Sequence, residues 1–303
     1  MIALWIPATI AAAFLQNLRS AMQKSLKGRL STTGAAYARF VYAWPFALFY
    51  LVALLLGVEG AELPETSPAF WVYCAVGGVS QILFTVVLLW MFTFQSFAVG
   101  TTFSKLEVVL IAVLGAVLLG DTVGPLGIVA IAMGALGAVA LSMTEAHLSP
   151  GALLRGLGKR VTLIGLLCAT LLGLSSVSFR GAALSLEGTN VFVSASFALV
   201  IALVMQTVIM GAWFVVFDRV ELMRVAREWR RAAPVGMIGM ACSVCWFTAF
   251  AVQNAAYVRA LGQVELLFAV ASSVLLFKER VSRIELLGVG LIGSAVVLIV
   301  LAA

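Results

Sequence analysis

Two short stretches put ionisable side chains where apolar ones are expected. Lys105-Leu-Glu107 opens an apolar run that ends at Gly120-Asp121, and Gln263-Val-Glu265 opens another that ends at Lys278-Glu279. A shift of 158 positions lays Glu107 on Glu265 and Asp121 on Glu279, as a duplication would. A carboxylate inside a segment apolar enough to cross a bilayer is costly and marks function. Two chemistries suit it. Paired with an arginine or lysine, it holds helices together with its charge offset inside protein. Alternatively it binds a substrate ammonium or a coupling proton, because carboxyl groups removed from water take up a proton more readily. The second reading is favoured, and a pair broken by substrate would do both jobs.

Five basic residues share the apolar segments with the glutamates: Arg19, Arg39, Lys105, Arg180 and Arg259. Arg19 and Arg259 are close enough to a segment end to snorkel to the interface. Glu107 and Glu265 lie too deep for so short a side chain to do this, so each must face a polar cavity or a cation. Lys105 and Arg180 are the expected partners, and Arg39 the expected contact for a substrate carboxylate or phosphate. The surplus of basic groups points to an amphoteric or anionic metabolite rather than a lipophilic cation. Gln263, Tyr37 and Trp90 complete the predicted substrate site. Trp44, Trp246, Tyr257, Gln16, Asn17, Gln81, Gln206 and Asn254 are further candidates for lining a cavity. Asp121 and Glu279 are assigned to helix ends and loop contacts.

The elements that position these residues follow from composition. The chain is 63% hydrophobic and 11% charged, with a mean hydropathy of +1.13, whereas a soluble domain carries about 25% charged residues. Its runs are continuously apolar, without the period-two alternation of a membrane barrel. At about 20 residues per span, the expectation is an all-α integral membrane protein with ten transmembrane helices. Spans are predicted at 3–22, 33–57, 68–92, 97–119, 123–142, 160–182, 191–217, 232–254, 258–277 and 282–302. The first run begins without a basic leader or a small-residue cleavage site and is read as a retained helix.

Residues 1–143 and 160–303 read as two five-helix halves joined by a cytoplasmic linker, 144–159, that contains Ser149-Pro150-Gly151. Arg19-Ser20-Ala21 resembles Arg180-Gly181-Ala182, and Phe84-Thr85 resembles Phe247-Thr248, in the same order along both halves. Loop charge sets the orientation. Fourteen basic residues fall on one side and at most Arg259 on the other, which makes the first side cytoplasmic and both termini non-cytoplasmic. The acidic loop Glu59–Glu65 matches the basic segment Asp218–Arg231, so equivalent loops lie on opposite sides. The two halves are therefore expected as inverted five-helix repeats, an architecture that suits alternating access.

Several other functions find no support. There is no histidine beside a nucleophile, no Gly-rich phosphate loop and no metal-ligand cluster, so neither an enzyme nor a cofactor is expected. Cys242 and Cys245 have no second pair to complete a zinc site and read, with Cys74 and Cys168, as small buried hydrophobes. His147 reads as a solvated loop residue. The run Arg224 to Arg231 reads as an amphipathic helix on anionic lipid rather than a nucleic-acid contact. Small residues at Ala130, Gly134, Ala138, Gly290 and Ser294 suit close helix packing, either within one chain or in a homodimer.

Taken together, the ten-span plan, the Gly-rich fifth and tenth spans and the segments Lys105–Asp121 and Gln263–Glu279 resemble the drug/metabolite transporter superfamily, in its EamA-type ten-helix members. The likeness rests on paired apolar runs ending in an acidic residue, Leu118-Leu119-Gly120-Asp121 and Leu275-Leu276-Phe277-Lys278-Glu279-Arg280. Pro125 follows the first copy, as is frequent in the family, and no proline follows the second. The resemblance implies a secondary transporter of the bacterial inner membrane that exports or exchanges a small amino-acid-like metabolite, with a coupling proton or a counter-substrate. The readings that stay open are a proton-coupled exporter of cationic drugs and, in a different class, a passive channel or lipid scramblase.

Overall fold

The computed structural model describes residues 4–24, 26, 28–91, 97–145, 151, 155, 159–186, 190–277 and 282–303. In an apolar medium, a backbone must satisfy its polar groups within its own segment, and a helix does so. The described residues form fourteen helices. These are α1 (Trp5–Lys24), α2 (Thr32–Val41), α3 (Trp44–Gly57), α4 (Pro68–Met91), α5 (Phe97–Ser104), α6 (Glu107–Leu119) and α7 (Pro125–Glu145). They continue with α8 (Arg160–Leu184), α9 (Val191–Phe217), α10 (Arg219–Arg227), α11 (Trp229–Val252), α12 (Ala255–Gly262), α13 (Val264–Phe277) and α14 (Arg283–Ala302).

The outer surface is apolar. Phe49 is 76% exposed, Leu56 84% and Val117 75%, a pattern that would aggregate a soluble domain and suits contact with lipid chains. Eight stretches among the described residues are helical, long and apolar enough to cross a membrane. Two of them, Thr32–Gly57 and Val99–Leu119, run through the α2–α3 and α5–α6 junctions. The chain is a multi-pass membrane protein.

Two of the ten predicted spans differ from that description. The first forms as α1, but Gln16, Asn17, Arg19, Ser20 and Gln23 dilute its apolar character. The ninth, expected as one helix over 258–277, divides at Gln263 into α12 and α13. Most of the predicted 144–159 linker, with His147, and the Lys278–Glu279 end of the second copy lie outside the described residues.

The helices gather into two compact units, one of Met1–Ile82 with Ser178–Val252 and one of Leu83–Val177 with Gln253–Ala303. The segment Leu83–Val177 crosses from the first half of the sequence into the second, and α4 and α8 contribute to both units. In the first unit α1 lies along α11, and α9 packs on α2, α3 and α11. Phe40, Phe70, Leu199 and Phe214 fill its interior, and the Phe179 and Phe247 rings pack tilted with centroids 4.7 Å apart. The helix α2 starts at Ser31, whose Oγ accepts from the Gly34 N–H at 3.0 Å, a standard N-cap. It ends at Tyr42, and Pro45 in the first turn of α3 fits there because that position needs no N–H donor.

In the second unit α14 lies along α7. Apolar side chains gain little by leaving lipid for protein, so membrane helices associate through close backbone approach. Gly137 abuts Ile292 and the Gly288 carbonyl, and Gly288 abuts Leu141, leaving no room for a Cβ at either glycine. Ala130, Gly134 and Ala138 are buried, with Gly134 facing Ala295, whereas Gly290 and Ser294 face outward. At the end of α6, Gly120 takes φ 68° and the Asp121 N–H donates to the Gly115 carbonyl at 3.1 Å. The Leu-Leu-Gly-Asp sequence is thus a left-handed helix cap.

Candidate functional site

Both copies of the duplicated motif sit where a membrane helix breaks. Between α5 and α6, the Lys105 N–H donates to the Thr102 carbonyl at 3.2 Å and the Leu106 N–H to Phe103 at 3.1 Å. Between α12 and α13, the Gln263 N–H donates to Ala260 at 3.3 Å and the Leu266 N–H to Gln263 at 3.0 Å. At each break the backbone tightens from i−4 to i−3 bonding, a local change that commonly marks a functional hinge. Glu107 and Glu265 then fall in the first turns of α6 and α13, where the helix dipole favours negative charge.

The two breaks are joined by two crossed ion pairs. Arg259, in the last turn of α12, donates from Nη2 to Glu107 Oε1, with side chains only 11% and 8% exposed. Lys105 Nζ lies 3.8 Å from Glu265 Oε1, at 29% and 17% exposure. Each motif therefore contributes an acid to one pair, and the first also contributes the base of the other. Gln263 stands on the second break, 3% exposed, and its side-chain Oε1 has no hydrogen-bond partner among the described residues. Asn254 caps α12 by accepting from the Ala256 N–H at 2.8 Å and donates to the Thr122 carbonyl at 3.5 Å. Tyr257 accepts from the Gly124 N–H at 3.3 Å and covers Gly127, which has no space for a Cβ. These contacts fix α12, and with it Arg259, against the loop after α6.

The first unit lacks that balance. Arg19, Arg39 and Arg180 lie on its helices α1, α2 and α8, and none of its membrane helices carries an acidic residue. Arg180 donates to the Phe250 carbonyl at 2.8 Å. Arg39 borders a small cavity with Gln81, Gln206 and Ser243. Gln206, 1% exposed, donates to Gln81 Oε1 at 2.7 Å, and Trp246 donates to Gln16 Oε1 at 3.2 Å. Cys242 contacts the Ala12 carbonyl at 3.4 Å.

Comparison with known proteins places part of the chain in a family and the whole of it beside a solved fold. Residues 159–301 match the EamA-like transporter family. Over that second half the chain is EamA-like. One solved structure, titled only "Crystal structure of protein", aligns with a TM-score of 0.72 at 16% identity, over 98% of this chain and 97% of that one. At that identity the likeness speaks for the fold alone. No curated protein matches the sequence.

The residues predicted from the sequence divide between the two units. Glu107, Glu265, Lys105 and Gln263 gather at the two breaks of the second unit. Trp90 also belongs to that unit, on α4, and is 53% exposed. Arg39, Arg180 and Tyr37 belong to the first. Tyr37 is packed, its ring 5.3 Å from Phe214 and its hydroxyl against Gly211. Lys105 takes the expected role of a glutamate partner. Arg259 and Arg19, read from the sequence as able to snorkel, are both largely buried. For Arg19 the readable signal was the low apolar content of α1, which needs polar neighbours on one face.

Proposed function

We propose that this chain is a secondary active transporter for a small anionic or amphoteric metabolite, working by alternating access in a bacterial inner membrane as an exporter or exchanger. The observation that carries the reading is the placement of both motif copies on broken spans, joined by ion pairs. Discontinuous membrane helices are the usual means by which a transporter exposes polar backbone and charge at depth. Continuous spans would serve a purely structural subunit as well. The two crossed pairs form an element that can be made and broken, and the Glu107 and Glu265 carboxylates are the groups available to a coupling proton or a substrate ammonium. Gln263 offers a buried acceptor beside them in sequence.

The substrate class follows from charge. In the second unit Glu107 and Glu265 balance Lys105 and Arg259, whereas in the first unit Arg19, Arg39 and Arg180, with Arg230 and Arg231 at the start of α11, face no acid in the membrane helices. A buried uncompensated cation costs about 2.5–3.5 kcal/mol at a helix centre on insertion scales. A substrate carboxylate or phosphate at Arg39 would offset that cost, and a lipophilic cation would raise it. The sequence halves, with their opposite loop charges, are read as inverted repeats with both termini non-cytoplasmic.

The test is counterflow in proteoliposomes. Vesicles preloaded with an unlabelled amino acid or organic acid should accumulate the labelled compound transiently, and Arg39→Gln should abolish this. Linear, non-saturating leakage that ignores the preload would indicate a channel or scramblase instead.

A further inference from the structure

The charge surplus of the first unit has a specific geometry. Gly239 on α11 is a point that two arginine stems share: a Cβ built there would lie 3.4 Å from Arg19 Cδ and 4.0 Å from Arg39 Cγ. Arg19 is 8% exposed, and its Nε has no hydrogen-bond partner among the described residues. Arg39 and Gly239 both line a cavity of about 20 Å³ together with Gln81, Gln206 and Ser243. The unit's described acidic residues, Glu59, Glu62, Glu65, Asp218, Glu221 and Glu228, lie in the loop after α3 and around α10. Of these, Glu221 and Glu228 are engaged by Arg224 and Arg231.

Two arginines whose stems meet at one glycine in a dry interior carry like charges that repel, and one carboxylate offsets only one of them. Planar guanidinium forks match carboxylate and phosphate oxygens in pairs. Amide and hydroxyl groups at the cavity wall add neutral donors of the kind that orient an anion. From this geometry we infer that Arg19 and Arg39 form one subsite, across Gly239, for a doubly charged anionic group such as a phosphate monoester or a dicarboxylate. The inference rests on the transport reading only for its purpose: it names the charge of the substrate group. The cavity as it stands holds about one water, so a phosphate-sized group enters as the Arg39 side chain that lines it moves aside.

The experiment is thermal unfolding of the purified full-length protein in neutral detergent at pH 7.5 and fixed ionic strength. The probes are inorganic phosphate and succinate as dianions, with acetate as the monoanion. A parallel arm adds phosphatidate to the micelles, which separates a lipid headgroup from a soluble group as the source of the same chemistry. Phosphate or succinate should raise the midpoint saturably, and acetate should require at least tenfold more for the same rise. Gly239→Asp has room for its Cβ and puts a carboxylate between the arginines. It should unfold at a higher midpoint than the parent without any anion, and lose the dianion response. Arg19→Gln and Arg39→Gln should each weaken that response at least tenfold. Equal responses to acetate and dianion, no response to any dianion, or an undiminished response in Gly239→Asp would overturn the subsite.

Counterflow of a monocarboxylate without any dianion response would end this inference and leave the transport reading intact. A dianion response in a protein that moves no solute would do the reverse.

Discussion

Glu107, at the first turn of α6, is held by Arg259, at the last turn of α12, and the two side chains are almost fully withdrawn from solvent. The pair bridges two helices that both stop within the membrane-spanning region, so it secures the ends on which the breaks depend. Removing the carboxylate alone strands the arginine. Glu107→Gln should therefore lower stability by about 3–5 kcal/mol, the usual effect of breaking a buried pair. Adding Arg259→Gln should recover much of that loss, because both charges are then gone. If the carboxylate also serves coupling, as proposed, the double variant recovers its thermal midpoint but not its counterflow. Recovery of both would make the pair purely structural.

How far the site was legible depends on residue type. The two glutamates and Lys105 stood out because charge inside a continuous apolar run has few innocent explanations. The breaks themselves were not legible. Neither Lys105-Leu106 nor Gln263 is a helix breaker, Gly262 only marks the end of one helix, and hydropathy runs unbroken across both sites. Only tertiary contacts, such as Asn254 with Thr122, Tyr257 with Gly124 and the crossed ion pairs, hold the chain in i−3 turns there. The α2–α3 junction carried a signal in Pro45, but a proline in a first turn reads equally well as a kink in one span. Arg259 was misjudged for a related reason: its distance from the end of an assumed continuous helix is irrelevant once the helix stops at Gly262.

Gln263 offers a case in which stability and function should part. Its side-chain Oε1 is buried without a partner among the described residues, and such a group destabilises by about 1–3 kcal/mol. Gln263→Leu, similar in size and apolar, should raise the thermal midpoint. If the acceptor serves a substrate or proton at the break, the same variant should lower the rate of counterflow at least tenfold. A variant that is more stable and fully active would remove Gln263 from the site.

The start of α2 is secured by a buried acid from α10. Glu221, 2% exposed, accepts from the Ser31 N–H at 2.5 Å and pairs with Arg224 at 3.3 Å, while its carboxylate lies directly over Gly34. A Cβ at residue 34 has no space beneath it. Gly34→Ala should cost about 1–3 kcal/mol through overpacking, and a smaller side chain at 221 should relieve it. In the Glu221→Ala background the added methyl should have little further effect, a non-additivity that unfolding of the four proteins in the cycle would measure. Additive losses would place the strain elsewhere.

Glu228, between α10 and α11, provides a pH test outside the membrane helices. It accepts from Arg231 Nη1 at 2.8 Å and lies 3.6 Å from Arg29. The Arg231 hydrogen bond is the main cause that holds its carboxyl below the usual range. A carboxyl with a depressed folded-state pKa contributes stability above its unfolded pKa and loses it as pH falls through the folded value. The difference in midpoint between the parent and Glu228→Gln should therefore be present at pH 7 and shrink as the solution is acidified below the ordinary carboxylate range. Because the group is solvated, the difference should be small and should fall further in about 1 M salt, where the screening length is about 3 Å. A difference that grows on acidification, or that ignores salt, would mean that Glu228 acts through something other than these two arginines.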